Sequence, residues 1–428
     1  MDSAVKSSQI AALDIGTAKI SVVVADVDDT GEIRVVGIGK VEALGIYDGS
    51  IQDVELAVDS IRKAVAEAEA MSGRKITTVS AALTGKYLHS VNRKGRLVLR
   101  ENEVTAQDVQ RVTRLAMAFD PKNDSRGRGD DDRVVSHLVK GYTLDNDTAT
   151  LIADPVGMSG NVIHAHVHLA VGSESIVANL IRCIRRAGLD VEALILQPWA
   201  SAASCLTPTD KELGVIMMDF GAGSVDLACY ERSRIEKTEV IPVGGNLFTR
   251  DIAGVLGCSL DDADDLKPAY AHIGMRPGDD YETIRYVCEA TREEKVVPCR
   301  KLVEVVTCRA EEILKVIRDR FLAPENWLQR AAGGIVITGG CTRMPGFAEL
   351  VAKVMQLPVR LASPGHKEGN GSEDLIGVED STAIGVIIET VRRRRLSGKA
   401  RAADGHLGGF MAGFKRMIFG DFSGKRKK

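Results

Sequence analysis

The sequence predicts an α/β fold that builds one strand–turn–strand unit twice. In "ALDIGTAKISVVV", residues 12–24, an apolar strand ends at Asp14, turns on Gly16 and Thr17, and continues as a second apolar strand. The stretch "MMDFGAGSVDLA", residues 217–228, repeats this pattern with Asp219 in the place of Asp14. A third unit, "GIVITGGCTRMPGFAELVAKVM", runs from a strand through two glycines into a helix, as α/β proteins do. The 428 residues are enough for two or more domains.

Hydrophobic spacing predicts the elements up to residue 162. Residues 9–46 suit a meander of strands, and "DVELAVDSIRKAVAEAEAMSG" has the spacing of a helix that ends at Gly73. Strand signals return at "ITTVSAAL". Residues 83–162 are more polar, contain a helix opened by Thr105 and Asp108 as a capping box, and suggest an insertion into the first domain.

Strands and helices alternate again in the second part of the chain. "VHLAVGSESIVANLIRCIRRAGLDVEALILQPWASAASCL" has the pattern strand, helix, strand, helix. A helix-rich region, 246–331, follows the second hairpin. "EDSTAIGVIIETVRRRR" predicts a last helix over 379–395, and 397–407 has linker composition.

Composition and charge exclude several classes of protein. The longest apolar runs are too short to span a membrane, and Asp14 interrupts the first of them, so we expect neither a spanning helix nor a secretion signal. The eight cysteines form no CxxC pair and suit reduced, buried thiols of a cytoplasmic protein. The net charge of −3 is unevenly distributed: residues 392–428 carry a net charge of +10 and the rest of the chain carries −13. This asymmetry predicts that the basic tail binds something anionic, either lipid or nucleic acid.

Glycine-rich turns of this kind are anion cradles. Glycine allows the backbone N–H groups to converge and removes the Cβ that would block a phosphate. A carboxylate beside the turn suits a metal ion held through water. Two facing turns could therefore grip a triphosphate with its Mg²⁺, with donors from Thr17, Lys19 and Ser224. One such turn is a weak signal, but three units in a fixed order are much more specific. Neither GxxxxGK[ST] nor GxGxxG occurs, which argues against P-loop and dinucleotide-binding folds.

These motifs resemble the ATPase core of the actin–Hsp70–sugar kinase superfamily and, within it, the FtsA family of bacterial cell-division proteins. The resemblance rests on "LDIGTAKI", "ADPVGMSG", "KELGVIMMDFGAGSVDLACY", "VIPVGGNLFTRDIA", "GIVITGG" and "DSTAIGV", and covers residues 9–395 in order. It implies an actin-like ATPase fold with two lobes, each a mixed sheet flanked by helices, divided into subdomains 1A, 1C, 2A and 2B.

The resemblance also implies how the chain is divided. Subdomain 1A consists of residues 1–82, 163–207 and the closing helix 379–396, and subdomain 1C is the insertion 83–162. Subdomain 2A consists of 208–245 and 332–378, subdomain 2B is 246–331, and a linker (397–407) and an amphipathic tail (408–428) follow.

The resemblance also implies ATP and Mg²⁺ between the two lobes. The implied phosphate and Mg²⁺ set is Asp14, Gly16, Thr17, Ala18, Lys19, Asp219, Gly221, Ala222, Gly223 and Ser224, with Asp14 and Asp219 holding the metal through water. The implied nucleoside set is Gly339, Gly340, Asp264 and Lys267. Relatives more often have Gly, Thr and Glu where this chain has Ala222, Ser224 and Asp264, respectively.

Gln197 occupies the place of the water-orienting glutamine of actin. A helix-capping role for this residue is an equally good interpretation, and we expect any ATP turnover to be slow.

The carboxy-terminal segment 408–428 predicts a helix that lies in the plane of a membrane. At 100° per residue its apolar side chains fall on one side, while Asp421 and Phe419 break the pattern. A core helix is the alternative, but the segment follows a linker and no chain remains to cover it. The predicted membrane residues are Phe410, Met411, Phe414, Lys415, Arg416, Met417, Ile418 and Phe422.

Other clusters have simpler interpretations. His164, His166 and His168 share one face of a strand, and a solvated face is favoured over a zinc site. Arg392–Arg395 end a helix before the tail, where a role at the helix terminus and at lipid is favoured over nucleic acid, so we expect no nucleic-acid partner.

The resemblance implies several partners. Within 2B, Arg300, Lys301 and Arg309 are implied to receive the carboxy-terminal peptide of FtsZ, although they could simply be solvated. We expect an adaptor that forms filaments and tethers FtsZ to the cytoplasmic face of the inner membrane at the septum, as a peripheral protein, with anionic lipid and downstream divisome membrane proteins as further partners.

Three other proteins of this superfamily remain alternatives. A small-molecule kinase would need a catalytic acid and a substrate pocket, which we cannot locate. An Hsp70-type chaperone would need a further domain after residue 395. A pilus-assembly actin-like ATPase has a similar core and usually lacks this tail.

Overall fold

A computed structural model describes residues 8–28, 30–47, 49–120, 131–146, 151–362, 364 and 376–403, and the side chains of these ranges up to residue 395. Within these ranges the chain forms seventeen strands and eleven α-helices. The strands are β1 (Ser8–Ile15), β2 (Lys19–Val27), β3 (Ile33–Glu42), β4 (Ile46–Tyr47), β5 (Ser50–Ile51), β6 (Thr78–Leu83), β7 (Leu88–Val98), β8 (Asp132–Leu144), β9 (Val162–Ser173), β10 (Asp190–Leu196), β11 (Val215–Phe220), β12 (Val225–Glu231), β13 (Arg234–Ile241), β14 (Thr283–Val287), β15 (Glu294–Pro298), β16 (Ile335–Thr338) and β17 (Val359–Leu361).

The helices lie between these strands and after them. They are α1 (Val54–Ser72), α2 (Ala106–Met117), α3 (Glu174–Arg186), α4 (Gln197–Cys205), α5 (Pro208–Leu213), α6 (Gly245–Leu256), α7 (Leu260–Tyr270), α8 (Cys299–Val316), α9 (Trp327–Arg330), α10 (Phe347–Met355) and α11 (Ser381–Ala403). Two predicted helix boundaries are confirmed: α1 ends at Gly73 in the left-handed conformation, and α2 begins with the capping box of Thr105 and Asp108.

Two five-stranded sheets have the same topology. The first has the order β3-β2-β1-β6-β10 and the second β13-β12-β11-β16-β17. In each, the first three strands are antiparallel neighbours and the last three are parallel, so β1 corresponds to β11 and β2 to β12. The predicted α/β fold with one repeated unit is confirmed.

Helices α4 and α11 cross beside both sheets. The crossing is close because Gly385 of α11 meets Ala200 of α4: a Cβ added at Gly385 would lie 1.8 Å from the Ala200 carbonyl oxygen. Trp199 and Ala202 of α4 belong to a core that contains residues of both sheets. The two helices therefore position the lobes relative to each other.

The polar segment after β6 forms a sheet of its own, in the order β7-β9-β8. Its middle strand β9 pairs along its length with β7 and β8. This sheet therefore extends to Ser173, beyond residue 162, where the sequence analysis ended the insertion. The region 246–331 is also less purely helical than expected, because β14 and β15 form a hairpin within it.

The predicted solvated face of β9 is wrong for His168. This ring is fully buried, and its nitrogens lie 2.7 Å from Asn92 Oδ1 and 2.9 Å from Thr238 Oγ1. Burial lowers its pKa to about 3. The reason is tertiary: β13, which carries Thr238, packs over this part of the small sheet.

The last helix continues through Ala403, into the segment with linker composition. Two of its arginines contact other parts of the protein. A guanidinium nitrogen of Arg393 donates to Ser136 Oγ at 3.1 Å, and Arg394 forms a bidentate ion pair with the Glu192 carboxylate at 2.6 and 2.7 Å. Both side chains therefore have partners within the protein.

Two further expectations, on membrane-spanning helices and on buried cysteines, are compared with the described residues. None of the helices in the described part of the chain combines the length and the apolar composition needed to cross a bilayer. Six of the eight cysteines are buried as predicted, whereas Cys308 is exposed and Cys341 is partly exposed.

Candidate functional site

The two hairpins predicted from the sequence have the same internal geometry. The Gly16 N–H donates to the Lys19 carbonyl oxygen at 3.0 Å, and the Gly221 N–H donates to the Ser224 carbonyl oxygen at 2.9 Å. In each hairpin the aspartate comes two residues before the first glycine, at the end of a strand in the middle of a sheet. The structure thus builds one turn twice, once in each lobe.

The two turns face each other at close range. A Cβ added at Gly223 would lie 2.4 Å from Thr17 Oγ1, so the second turn approaches the first as closely as a glycine allows. Residues 14–19 and 219–224 therefore line one cleft between the lobes.

Asp14 is buried at the base of this cleft. Its Oδ1 atom has no hydrogen-bond partner among the described residues, although carboxylates buried in proteins are normally hydrogen-bonded. Burial raises its pKa to about 7, with further contributions from the Asp219 and Asp380 charges, while Lys19 acts in the opposite direction. A cation placed here would restore the charged form.

Asp219 is held by the two crossing helices. Its Oδ2 atom accepts hydrogen bonds from Ser201 Oγ of α4 at 2.6 Å and from Thr382 Oγ1 of α11 at 3.2 Å. Burial raises its pKa, and these hydrogen bonds oppose that rise. Gln197, the first residue of α4, lies beside Asp219, and its Oε1 atom is buried without a partner in the described structure.

A third buried carboxylate, Asp226, was missed in the sequence analysis. It lies directly opposite Asp219 in the hairpin register and accepts hydrogen bonds from Ser224 Oγ at 3.3 Å and, across the cleft, from Thr84 Oγ1 at 3.0 Å. Burial and then the Asp219 charge raise its pKa well above the usual range. The signal was available, because a turn of this length pairs Asp219 with Asp226.

The side chain of Lys19, which was expected to contact phosphate, has partners within the protein. Its Nζ atom donates to the Glu379 carbonyl oxygen at 2.9 Å and to Asp380 Oδ1 at 3.3 Å. The fully buried Asp380 also accepts from Lys40 Nζ at 2.6 Å. Lys19 thus ties the first hairpin to the start of α11. Asp380, 361 residues away, gave no local signal.

The third unit closes one side of the cleft. Gly339 has φ +92°, and a Cβ added there would lie 2.4 Å from Asp219 Oδ1. The next residue but one, Cys341, donates from Sγ to the Gly221 carbonyl oxygen at 3.3 Å. The space beside Gly340 is open, since a Cβ there would contact nothing within 4 Å.

Helix α6 begins at the second hairpin. The Gly245 N–H donates to the Gly221 carbonyl oxygen at 3.0 Å, and the Asn246 N–H donates to the Ala222 carbonyl oxygen at 2.8 Å. One turn along α6, Thr249 forms a cluster with the implied nucleoside residues of α7: Lys267 Nζ lies 2.6 Å from Asp264 Oδ1 and 2.7 Å from Thr249 Oγ1. The pKa of Asp264 is lowered by Lys267, against the opposing effect of burial.

The arrangement suits a polyphosphate with a divalent cation. Glycine backbone lines the cleft where the lobes meet, three buried carboxylates lie near one another, and one oxygen of Asp14 has no partner among the described residues. Two positive charges would offset the mutual repulsion of these carboxylates. The residues present therefore fit Mg²⁺ held near Asp14 and Asp219.

The three basic residues expected to bind a partner do not form one surface. All lie on α8, but Arg300 and Arg309 are nine positions apart and so lie on opposite sides of the helix. Arg300 pairs with Glu304 at 2.8 Å, and Lys301 is exposed. Arg309 grips Asp251 of α6 with two nitrogens and pairs with Glu312 at 2.6 Å.

Arg309 lies in a groove between α6 and α8 with a volume of about 480 Å³. Two arginines, three carboxylates and two valines are among the residues that line it. They are Arg250, Arg309, Asp251, Glu304, Glu312, Val255 and Val305. The membrane residues predicted within 408–428 lie outside the described residues, so the structure places none of them.

Comparisons with known proteins identify relatives over nearly the whole chain. The family model for "Cell division protein FtsA" matches residues 216–385, and the model for an "SHS2 domain inserted in FTSA" matches 85–171. Cell division protein FtsA of Neisseria meningitidis is 32% identical over 96% of this chain and 98% of its own. The FtsA protein of Pseudomonas aeruginosa is 31% identical over 99% of this chain and 100% of its own. The FtsA protein of Bacillus subtilis is 30% identical over 90% of this chain and 84% of its own.

Two solved structures share the fold at low sequence identity. The PilM–PilN type IV pilus biogenesis complex has a TM-score of 0.63 at 16% identity, with 89% of this chain and 98% of that chain covered. MreB 5 of Spiroplasma citri bound to AMPPNP has a TM-score of 0.51 at 14% identity, with 91% and 98% covered. The fold of this chain is actin-like.

Proposed function

The chain belongs to the FtsA family of cell-division proteins, and on this basis we propose that it binds ATP with Mg²⁺ between its lobes, polymerises, and anchors FtsZ to the cytoplasmic face of the inner membrane at the septum. One observation carries the nucleotide part: two identical glycine turns from different lobes face each other over buried aspartates. Support also comes from the MreB 5 structure, which shares the fold and has AMPPNP bound.

In this proposal the backbone N–H groups of the two turns hold the phosphates. Asp14 and Asp219 hold Mg²⁺ through water, and the metal neutralises phosphate charge when bound. Gly339 and Gly340 leave room for the nucleoside, which Asp264 and Lys267 contact from α7.

Gln197 orients water beside Asp219. Because its amide lies buried beside that carboxylate, turnover is slow.

Binding of labelled ATP tests the site directly. We expect Asp219→Ala to abolish Mg²⁺-dependent binding, because the second hairpin loses the carboxylate that α4 and α11 hold in place. Asp59→Ala, at an exposed position on α1, is the matched control and should bind as the wild type does. Unchanged binding by Asp219→Ala would contradict the proposed site.

We propose the groove between α6 and α8 as the place where the FtsZ peptide binds. Its valines offer apolar contacts, and its arginines offer charge to an acidic peptide. Since Arg309 already forms an ion pair with Asp251, the carboxylates of the peptide must compete with Asp251 for the guanidinium group.

A pair of variants separates this role from a purely structural one. Arg309→Glu should weaken co-sedimentation with FtsZ filaments, whereas Asp251→Asn should strengthen it by releasing Arg309 from its internal ion pair. If both variants weaken co-sedimentation, the ion pair is structural and the peptide does not use Arg309.

The tail, 408–428, is proposed to attach the protein to anionic lipid, reversibly for one molecule and firmly for a filament. Sedimentation with anionic liposomes tests this. Phe414→Ser should release the protein, while Phe419→Ser, outside the apolar arc, should not. Lipid binding that survives deletion of 408–428 would refute the assignment. Electron microscopy on a lipid monolayer with ATP should show filaments.

A further inference from the structure

A buried cluster between the end of α7 and the start of α8 brings together three side chains of types that bind transition metals. His272 and Asp279 lie in the segment between α7 and β14, and Cys299 is the first residue of α8. All three are buried, with exposures of 7%, 4% and 1%. One ligand atom from each lies within 4.8 Å of the other two.

The hydrogen bonds of His272 prepare one ring nitrogen for a cation. Nδ1 lies 3.0 Å from the Gly274 carbonyl oxygen, which can only accept, so Nδ1 carries the proton. In the neutral ring Nε2 then presents a lone pair, and it faces Asp279 Oδ1 at 3.1 Å. Two acceptors at this distance need a positive charge between them. An Nδ1–H donated to a carbonyl is also the arrangement that metal-binding histidines use.

The other two ligands are similarly placed. The second oxygen of Asp279 accepts the Arg276 N–H at 2.6 Å, which leaves Oδ1 directed at the histidine. Within the described part of the chain, Cys299 Sγ has one long hydrogen-bond contact, 3.8 Å, with the Tyr270 carbonyl oxygen. Thiolate, imidazole and carboxylate together are a zinc donor set, and zinc bond lengths of about 2.0–2.3 Å place tetrahedral ligands roughly 3.3–3.7 Å apart.

We propose that His272 Nε2, Asp279 Oδ1 and Cys299 Sγ bind a divalent transition-metal ion of the zinc class. The ion would join the segment 271–282 to the start of α8, where the Cys299 and Arg300 N–H groups already donate to the carbonyls of Glu282 and Asp279. A protonated histidine is the competing source of positive charge. It would make no use of Cys299, and the thiol therefore decides between the two.

Cobalt titration of the full-length protein tests the proposal, because Co²⁺ substitutes for zinc and reports a thiolate ligand by charge-transfer absorption. The protein, without nucleotide and with Mg²⁺ in excess, should bind one equivalent of Co²⁺ with this absorption. Zn²⁺ should abolish the band and raise the midpoint of thermal unfolding. Cys299→Ser should lose the band and the shift, while Cys308→Ser, which removes an exposed thiol of the same helix, should keep both.

Two results would overturn the proposal: no stoichiometric thiolate band in the wild type, or an undiminished band in Cys299→Ser. If Cys299→Ser does not fold by circular dichroism, Asp279→Asn replaces it and must lower the affinity for Zn²⁺ at least tenfold. Unchanged affinity in that variant would also overturn the proposal.

Discussion

Replacing Asp14 by Asn should stabilise the protein at high pH in the absence of nucleotide. The folded protein holds the Asp14 proton up to about pH 7, whereas the unfolded chain loses it near the ordinary value of 3.8. A raised carboxyl pKa contributes stability at low pH that is lost as the pH rises through this window. Asn does not ionise, so the variant avoids the loss.

The size of the effect follows from the pKa. With about 1.36 kcal/mol per unit, the raised pKa of Asp14 lowers the free energy of unfolding by about 1.7 kcal/mol at pH 5 and about 4.3 kcal/mol at pH 8, relative to a carboxyl with the ordinary pKa. The amide has its own cost, about 1–3 kcal/mol if a donor is left unpaired, but that cost is the same at both pH values. The stability difference between Asn and Asp should therefore grow by about 2.5 kcal/mol between pH 5 and pH 8.

Urea unfolding at the two pH values, without nucleotide, measures this difference. Asp59→Asn, at an exposed site, should give the same stability difference from the wild type at both. Asp14→Asn should also lose Mg²⁺-dependent ATP binding, so that stability and function move in opposite directions. A stability difference that does not change with pH would refute the claim that Asp14 is held protonated by burial.

Three other predictions concern close packing and buried charge. Gly223→Ala should lose ATP binding because its Cβ would meet Thr17 Oγ1 at 2.4 Å, and adding Thr17→Ala should restore part of it in a binding assay. Gly385→Ala should lower the free energy of unfolding by about 3 kcal/mol or more, because the Cβ would lie 1.8 Å from the Ala200 carbonyl oxygen; a thermal midpoint like that of the wild type would contradict this. The His168 ring should stay neutral between about pH 5 and 8 since its pKa is about 3, and NMR shifts of the ring that titrate near 6.5 would show otherwise.

The parts of the fold that sequence could predict are those set by neighbours in the chain. Each hairpin is determined by residues close in sequence, because the strand, the aspartate and the glycines lie within about a dozen residues and together fix one turn. The two capping signals at α1 and α2 are local for the same reason. The repeat of one hairpin predicted one unit built twice, and the resemblance implied the two lobes with a mixed sheet in each.

Two of the misses depend on what packs against an element. Strand alternation places His168 on one face of β9 but does not say that β13 covers that face. Likewise, Asp380 is a partner of Lys19 only because α11 returns to the first hairpin. Asp226 differs from these, since the turn register alone pairs it with Asp219, and the omission was one of reasoning.

The same helix touches both proposed binding sites. The first residues of α6 donate backbone hydrogen bonds to the second hairpin, and about two turns later Asp251 grips Arg309 in the groove. Arg250, between them, reaches the first lobe, where its guanidinium lies over the Tyr47 ring, 5.6 Å from the centroid. A change in the separation of the lobes must therefore either move α6 or break these contacts. Since the proposed acidic peptide must displace the ion pair with Asp251, we expect the state of the cleft to contribute to the free energy of peptide binding.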